Sequence, residues 1–239
     1  MIFRARIKIK MEYPIRINKY LAQVGQATRR GADLLIERKK VLVNGRLAKL
    51  GDFVQRGDRV EIKEVKDEKK VELVYFAYHK PRGEETSQIS VSRISPEKIF
   101  PIGRLDKDSS GLLILTNDGR ITERLLGPDH KHEKEYLVEV DKPVNGFMLK
   151  RMELGVKIEG YKTKKCQVLK IGPRNFKIIL TEGKKHQIRR MCAAVGLQVR
   201  NLRRIRIMNI KLEDLKPGAF CKIVGKEKDE LLKSLKLPF

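Results

Sequence analysis

No stretch of this 239-residue chain approaches the ~18 consecutive apolar residues that a membrane-spanning helix needs, and the first residues do not follow the charged-then-apolar pattern of a secretory leader. A cytoplasmic protein without membrane partners is the expectation. Cysteine is scarce: Cys166, Cys192 and Cys221 are odd in number, widely spaced and set among apolar or basic residues. Neither a disulfide framework nor a zinc site fits that pattern, so buried free thiols are expected. The 4 histidines lack metal-ligand spacing, and no metal and no cofactor are expected. Neither Gly-x-Gly-x-x-Gly after a strand nor Gly-x-x-x-x-Gly-Lys-Ser/Thr occurs, which leaves dinucleotide and P-loop sites without support. Negative charge is the clearest deficit, with 30 Asp+Glu against 54 Lys+Arg and a formal charge of +24. A charge-rich thermophile surface balances its signs, and this chain does not. The partner is therefore expected to be a polyanion, and nucleic acid fits better than a membrane surface.

What is present divides into two parts. The almost wholly charged segment Lys63-Glu64-Val65-Lys66-Asp67-Glu68-Lys69-Lys70 reads as a linker over 63–70, between a small module over 15–62 and a larger domain over 71–239. Residues 1–14 form an N-terminal extension whose Arg4-Ala5-Arg6-Ile7-Lys8-Ile9-Lys10 fits either an added edge strand or an RNA-binding arm. In the module, Ile17, Leu21 and Val24 recur at helical spacing and Gly25 closes that helix. Thr28 caps a second helix with Ala32, Leu35 and Ile36 on its buried face. Val41 to Ala48 reads as a hairpin turning at Asn44-Gly45, and Gly57-Asp58 precedes a strand over Arg59 to Ile62. Arg16, Lys19, Arg29, Arg30, Arg38, Lys39 and Lys40 crowd onto the helix pair, as a phosphate-facing surface or as a solvated face.

The larger domain carries the chemistry-bearing stretch, Gly103-Arg104-Leu105-Asp106-Lys107-Asp108-Ser109-Ser110-Gly111 followed by Leu112-Leu113-Ile114-Leu115 and the turn Asn117-Asp118-Gly119. A carboxylate on a loop anchored to a buried strand is a candidate for catalysis, and Arg104 beside it would keep Asp106 ionised. An Arg–Asp pair that merely ties down a loop is the competing reading. Val71 to Tyr78 reads as a strand feeding a basic loop at His79-Lys80-Pro81-Arg82-Gly83. Glu135 to Val140 alternates as a half-buried strand carrying Tyr136, and Phe176 to Leu180 is another. The segment from Thr181 to Cys192 reads as a basic helix with Ile188, Met191 and Cys192 on its apolar side. The order favours an α+β domain around a largely antiparallel mixed sheet. Asp106, Asp108 and Asp118 do not form a convincing two-metal nuclease cluster.

Two resemblances sharpen this reading. Arg16-Ile17-Asn18-Lys19-Tyr20-Leu21, Gly25-Gln26-Ala27-Thr28-Arg29-Arg30 and Val41-Leu42-Val43-Asn44-Gly45 resemble the alpha-L RNA-binding domain named after small-subunit ribosomal protein four. Lys39 stands where that family has a helix-ending glycine. Gly103-Arg104-Leu105-Asp106 with its apolar strand, Lys134-Glu135-Tyr136, and Glu182-Gly183-Lys184-Lys185-His186-Gln187-Ile188-Arg189-Arg190-Met191 resemble the three catalytic blocks of the ribosomal pseudouridine synthases that carry an alpha-L domain, the F-type large-subunit synthases above all.

That resemblance implies an enzyme that needs no cofactor and isomerises uridine to pseudouridine in large-subunit (23S) ribosomal RNA, with a transfer RNA as a candidate second substrate and a monomeric state. It gives Asp106 the chemistry, by attack on ribose C1′, by attack on uracil C6 or by assisting a glycal route. Arg189 pairs with Asp106, Tyr136 stacks on the extruded base, and Leu202 packs the nucleotide from the other side. Arg104, Lys80 and Lys134 are assigned to substrate binding, and Lys184, Lys185 and Arg190 join the basic residues of the N-terminal module as RNA contacts. His79 stands where relatives have asparagine, and the segment Glu84 to Ser90 is unusually acidic. Folded RNA would be gripped by both domains through salt-sensitive phosphate contacts before one base is extruded. An RNA-binding ribosome assembly factor whose site only docks RNA is the alternative from another class.

Overall fold

The structure is a computed structural model that describes residues 11–63, 72–127 and 131–237. The basic segment 1–10, positions 64–70 of the charged segment and His130 lie outside the described residues. The chain divides into two compact units, Met1–Glu72 and Leu73–Phe239.

In the first unit, strand β1 (Ile15–Arg16) leads directly into helix α1 (Ile17–Gln23), followed by α2 (Arg29–Glu37), β2 (Val41–Val43), β3 (Arg46–Leu47), β4 (Phe53–Val54) and β5 (Val60–Ile62). The turn between the helices closes as the sequence indicates. Gly25 adopts φ +75°, a left-handed conformation that costs glycine nothing, and Thr28 Oγ1 then accepts from the Gly31 amide at 3.0 Å. Asn44 and Gly45 also have positive φ, which gives the β2–β3 hairpin its tight turn. Lys39 takes the left-handed conformation at φ 56°, so the family's turn survives with lysine in the glycine position. The core joins Ile17 and Leu21 of α1 to Ala32 and Ile36 of α2 and to Val41 of β2. Leu35 is half-buried, less than its spacing suggested. Arg16, Arg29, Arg30 and Lys39 are exposed and Lys19 and Lys40 partly so, leaving their charges available to solvent or phosphate.

In the second unit the strands are β6 (Tyr75–Lys80), β7 (Phe100–Ile102), β8 (Ser110–Thr116), β9 (Lys134–Val140), β10 (Lys157–Ile158), β11 (Tyr161–Lys162), β12 (Gln167–Lys170), β13 (Asn175–Leu180), β14 (Val199–Ile207), β15 (Ile210–Lys211) and β16 (Phe220–Lys222). The helices are α3 (Arg120–Leu126), α4 (Gly146–Leu154), α5 (Gln187–Ala194) and α6 (Gly225–Ser234). One sheet runs β12-β13-β9-β14-β8-β6-β16, with β15 on β14 and β7 on β8. Every pair in it is antiparallel except β14 with β8, which are parallel over the rungs Arg203↔Ser110 and Arg204↔Gly111. The α+β class and the mixed, largely antiparallel sheet are as expected.

Strand alternation decides what covers each face. Val138 and Leu202 face α4 and α5, packing with Met152, Ile188 and Met191. Register carries that same face across β14 to Leu113 and Leu115 of β8, which are covered by Ile89, Ile94 and Ile99. Leu112 and Ile114 point the opposite way, toward α3 and α6. A valley therefore opens on one face of the sheet, over β14 and β8, between α5 and the segment 84–99.

Three expectations are corrected. Strand β6 starts later and runs further than 71–78, because pairing with β8 continues through His79↔Leu112 and Lys80↔Gly111. His79 and Lys80 are buried strand residues, not the start of a basic loop. The helix expected from Thr181 begins only at Gln187, since His186 is left-handed at φ 53° and stops helical geometry from extending backwards. Of the thiols, only Cys192 is buried; Cys166 is half-buried and Cys221 exposed. Burial pushes the Cys192 thiol up to about 12, so at neutral pH it is a packing residue, not a nucleophile.

Candidate active site

A single transverse row forms the floor of the valley. Lys80 on β6 lies opposite Gly111 on β8, Gly111 opposite Arg204 on β14, and Arg204 opposite Tyr136 on β9. Register partners on neighbouring strands share a face, so the three side chains and the glycine gap line one strip. Lys80 is 0% and Arg204 4% exposed, whereas Tyr136 is half-buried and packs at the edge of the α4–α5 core.

Asp106 stands on the turn between β7 and β8, at the end of this row. The turn closes through Ser109 N–H to the Asp106 carbonyl at 3.0 Å, and its other neighbours are fixed from both sides. Lys80 Nζ donates to the carbonyls of Pro81 at 2.9 Å, Glu84 at 2.6 Å and Lys107 at 3.5 Å. Thr86 Oγ1 donates to the Leu105 carbonyl at 2.9 Å and lies 3.2 Å from the Leu105 amide. From α5, Arg189 Nη2 donates to the Asp108 carbonyl at 3.0 Å and to Ser109 Oγ at 3.4 Å. The backbone around Asp106 is thus held without using its carboxylate. That carboxylate remains 38% exposed, with His186 Nε2 3.5 Å from Oδ1. A fixed, accessible carboxylate suits nucleophilic attack on, or proton transfer from, a group bound against it.

Several expected roles change. Arg189 reaches the Asp106 loop through its backbone, and among the described residues the side chain facing the carboxylate is His186, neither Arg189 nor Arg104. Arg104 is exposed on the turn. Lys80 cannot contact substrate, because its ammonium is fully buried and committed to three carbonyls; burial lowers its pKa while Glu84, Asp106 and Asp108 act to raise it. Leu202 is 5% exposed within the α4–α5 core, so its packing lies beneath the valley and leaves no open face for a nucleotide. Arg190 is paired with Glu159 at 3.0 Å. Lys184 and Lys185 are exposed on the loop before α5, with the Lys184 ammonium 4.8 Å from the centre of the Tyr161 ring. Lys134, two residues before Tyr136, is on the same face, and burial together with Arg204 pushes it down to about 8.

The sequence reading missed Thr86, Ser109, His186 and Arg204. His186 had a visible signal in its place next to a basic helix. Thr86 and Ser109 are ordinary residues whose importance appears only when distant segments meet, and Arg204 is hidden among four arginines from 200 to 206.

Lys80 yields a direct test. In Lys80→Met the apolar stem is kept and three buried carbonyls lose their donor, which costs about 2 kcal/mol and lowers Tm by about 4–8 °C. The loosened loop should also lower kcat about tenfold with little change in KM. Calorimetry and single-turnover kinetics on the same preparation check both.

The family model for RNA pseudouridylate synthase matches residues 68–194, which include Asp106, Tyr136 and Arg189. The chain belongs to the RNA pseudouridylate synthase family. The model for the S4 domain matches residues 15–60, in the first unit. The chain is 40% identical over 228 residues to the dual-specificity RNA pseudouridine synthase RluF of Escherichia coli K12, covering 92% of this chain and 79% of that protein. It is 37% identical over 235 residues to an uncharacterized RNA pseudouridine synthase of Borreliella burgdorferi, covering 92% and 93%. A crystal structure of a pseudouridylate synthase superposes with a TM-score of 0.66 at 28% identity, covering 92% of this chain and 99% of that one. This synthase is therefore an isomerase that converts uridine to pseudouridine in RNA. Among the described residues no helix is long and apolar enough to cross a membrane.

Proposed function

We propose that this synthase modifies a uridine in large-subunit (23S) ribosomal RNA, with Asp106 as the reacting carboxylate and Tyr136 as the stacking surface for the extruded base. The observation that carries the reading is the fixing of residues 105 and 107–109 by Lys80, Thr86 and Arg189 while the Asp106 carboxylate stays open to the valley. Isomerisation breaks the N1–C1′ bond, turns the uracil and joins C5 to C1′. The product has the same atoms as the substrate, and the one group the protein must supply is a well-placed carboxylate. RNA would be captured first by charge: a chain carrying +24 with exposed Arg29, Arg30 and Lys39 in its S4 domain is suited to phosphate contacts. The dual specificity in the name of the Escherichia coli relative supports a second RNA substrate, for which a transfer RNA is the candidate.

The test is to map pseudouridines in unmodified 23S ribosomal RNA and in unmodified transfer RNA after incubation with the purified synthase. One or a few new sites in the 23S RNA are expected, with binding that weakens steeply between 50 and 200 mM salt by about a thousandfold. Modification of transfer RNA alone, or of small-subunit RNA in preference, would overturn the assignment.

A further inference from the structure

Among the described residues, Arg204 and Lys134 are cations in the valley floor with no carboxylate paired to them. Arg204 Nε donates to the Leu112 carbonyl at 2.8 Å, but Nη2 is buried and has no hydrogen-bond partner among the described residues. Lys134 Nζ makes one long contact, 3.4 Å to the His132 carbonyl. The acids beside Lys134 in sequence are engaged elsewhere: Glu133 pairs with Arg206 at 3.0 Å, and Glu135 with Arg206 at 2.8 Å and Lys177 at 3.5 Å. The charge that Lys134 feels is that of Arg204, which together with burial lowers its pKa to about 8. Buried like charges and an orphaned donor are costly in an empty site. They become favourable when negative charge arrives beside them, which the half-buried Lys134 meets directly and the buried Arg204 meets through its field.

The reaction generates such a charge. When N1–C1′ breaks, its electron pair passes to the uracil, which then carries one negative charge spread over N1, O2 and O4. The charge disappears as C5 bonds to C1′, the C5 proton is lost and N1 is protonated. Tyr136, the stacking surface, lies directly opposite Arg204 and two residues from Lys134 on the same face.

We propose that Lys134 and Arg204 form the electrostatic subsite that stabilises the detached, anionic uracil ring. The proposal rests on the reading that Asp106 and Tyr136 handle the extruded uridine. A backbone phosphate of the RNA is the competing anion, and kinetics separates the two. A phosphate is bound equally in the ground and transition states, so its loss raises KM; uracil charge develops only as the bond breaks, so its loss lowers kcat.

Single-turnover kinetics of Lys134→Met and Lys134→Arg on a 23S RNA fragment provides the test, with Arg204→Lys as a second variant that keeps the charge and the fold while shifting the donor. Lys134→Met is expected to lower kcat about a hundredfold, comparable to removing one oxyanion donor, with KM within about threefold, and Lys134→Arg to recover most of the loss. The same fragment carrying 5-fluorouridine at the target position supplies the decisive readout. Fluorine withdraws electrons, so the ring leaves as a weaker base and needs less stabilisation; the defect of Lys134→Met, followed as loss of the N-linked 5-fluorouridine, should shrink to about tenfold or less. A rise in KM at unchanged kcat would assign the pair to a phosphate, and equal defects on both RNAs would exclude leaving-group stabilisation. If Asp106→Asn stayed active, the underlying reading would fail; if Asp106→Asn were inactive and Lys134→Met fully active, only the subsite would fail.

Discussion

Asp106→Asn should leave a folded, RNA-binding protein that makes pseudouridine at least about a thousandfold more slowly than the wild type. The substitution keeps the size of the side chain and removes its charge and basicity. The loop does not depend on that charge, because the contacts that fix it run through the backbone of Leu105, Lys107 and Asp108 and through the Ser109 hydroxyl. Among the described residues the carboxylate's contact to His186 is between two partly exposed groups and is worth at most about 1 kcal/mol. Tm is therefore expected to move by no more than about 4 °C. RNA affinity should be unchanged or slightly tighter, since a negative charge is lost from a surface that binds phosphate. The measurements are pseudouridine per RNA under single-turnover conditions, RNA binding at fixed salt, and calorimetric Tm. Wild-type turnover in Asp106→Asn would remove Asp106 from the chemistry, and a large fall in Tm would show that the carboxylate is structural.

The parts of this site that lie within one short stretch were legible in the sequence, and the parts made by convergence were not. The turn bearing Asp106, the apolar strand behind it and the alternating strand carrying Tyr136 each have a local signature, and each is found where that signature put it. The S4 domain was equally readable, down to the Thr28 cap and the Asn44-Gly45 turn, because caps and tight turns are written in one or two residues. Lys80 was misassigned because a lysine beside proline looks exposed; that three carbonyls from Pro81, Glu84 and Lys107 gather around its ammonium depends on a strand pairing 31 positions away, Lys80↔Gly111. Arg189 shows the same limit more finely. The family resemblance correctly brings it to the Asp106 loop, yet only the three-dimensional placement of α5 decides that it grips the backbone of that loop while His186 faces the carboxylate.

The largest effect on stability is expected from Gly111→Ala. Gly111 has φ +115°, and a Cβ there would lie 2.2 Å from the Arg204 carbonyl oxygen and 2.6 Å from the Arg204 nitrogen. Both atoms are backbone and belong to the parallel rung that joins β8 to β14, so no side chain can swing aside to make room. That pairing is also the link in sheet order between β12-β13-β9-β14 and β8-β6-β16. An added methyl group must part the sheet at this point or force β8 out of its conformation, at a cost of about 4 kcal/mol and a fall in Tm of about 8–16 °C. Gly45→Ala supplies the control. Gly45 also has a positive φ, +80°, but a Cβ there meets nothing within 4 Å, so only the conformational penalty of about 1 kcal/mol applies. Asparagine tolerates left-handed geometry better than alanine. Gly45→Asn should therefore recover part of the loss at that turn, whereas Gly111→Asn should be no better than Gly111→Ala, because the obstacle in β8 is the Cβ itself. Calorimetry of the four variants distinguishes the two causes: similar losses at both positions would mean that backbone conformation, and not the close approach of β14, requires glycine in the floor of the valley.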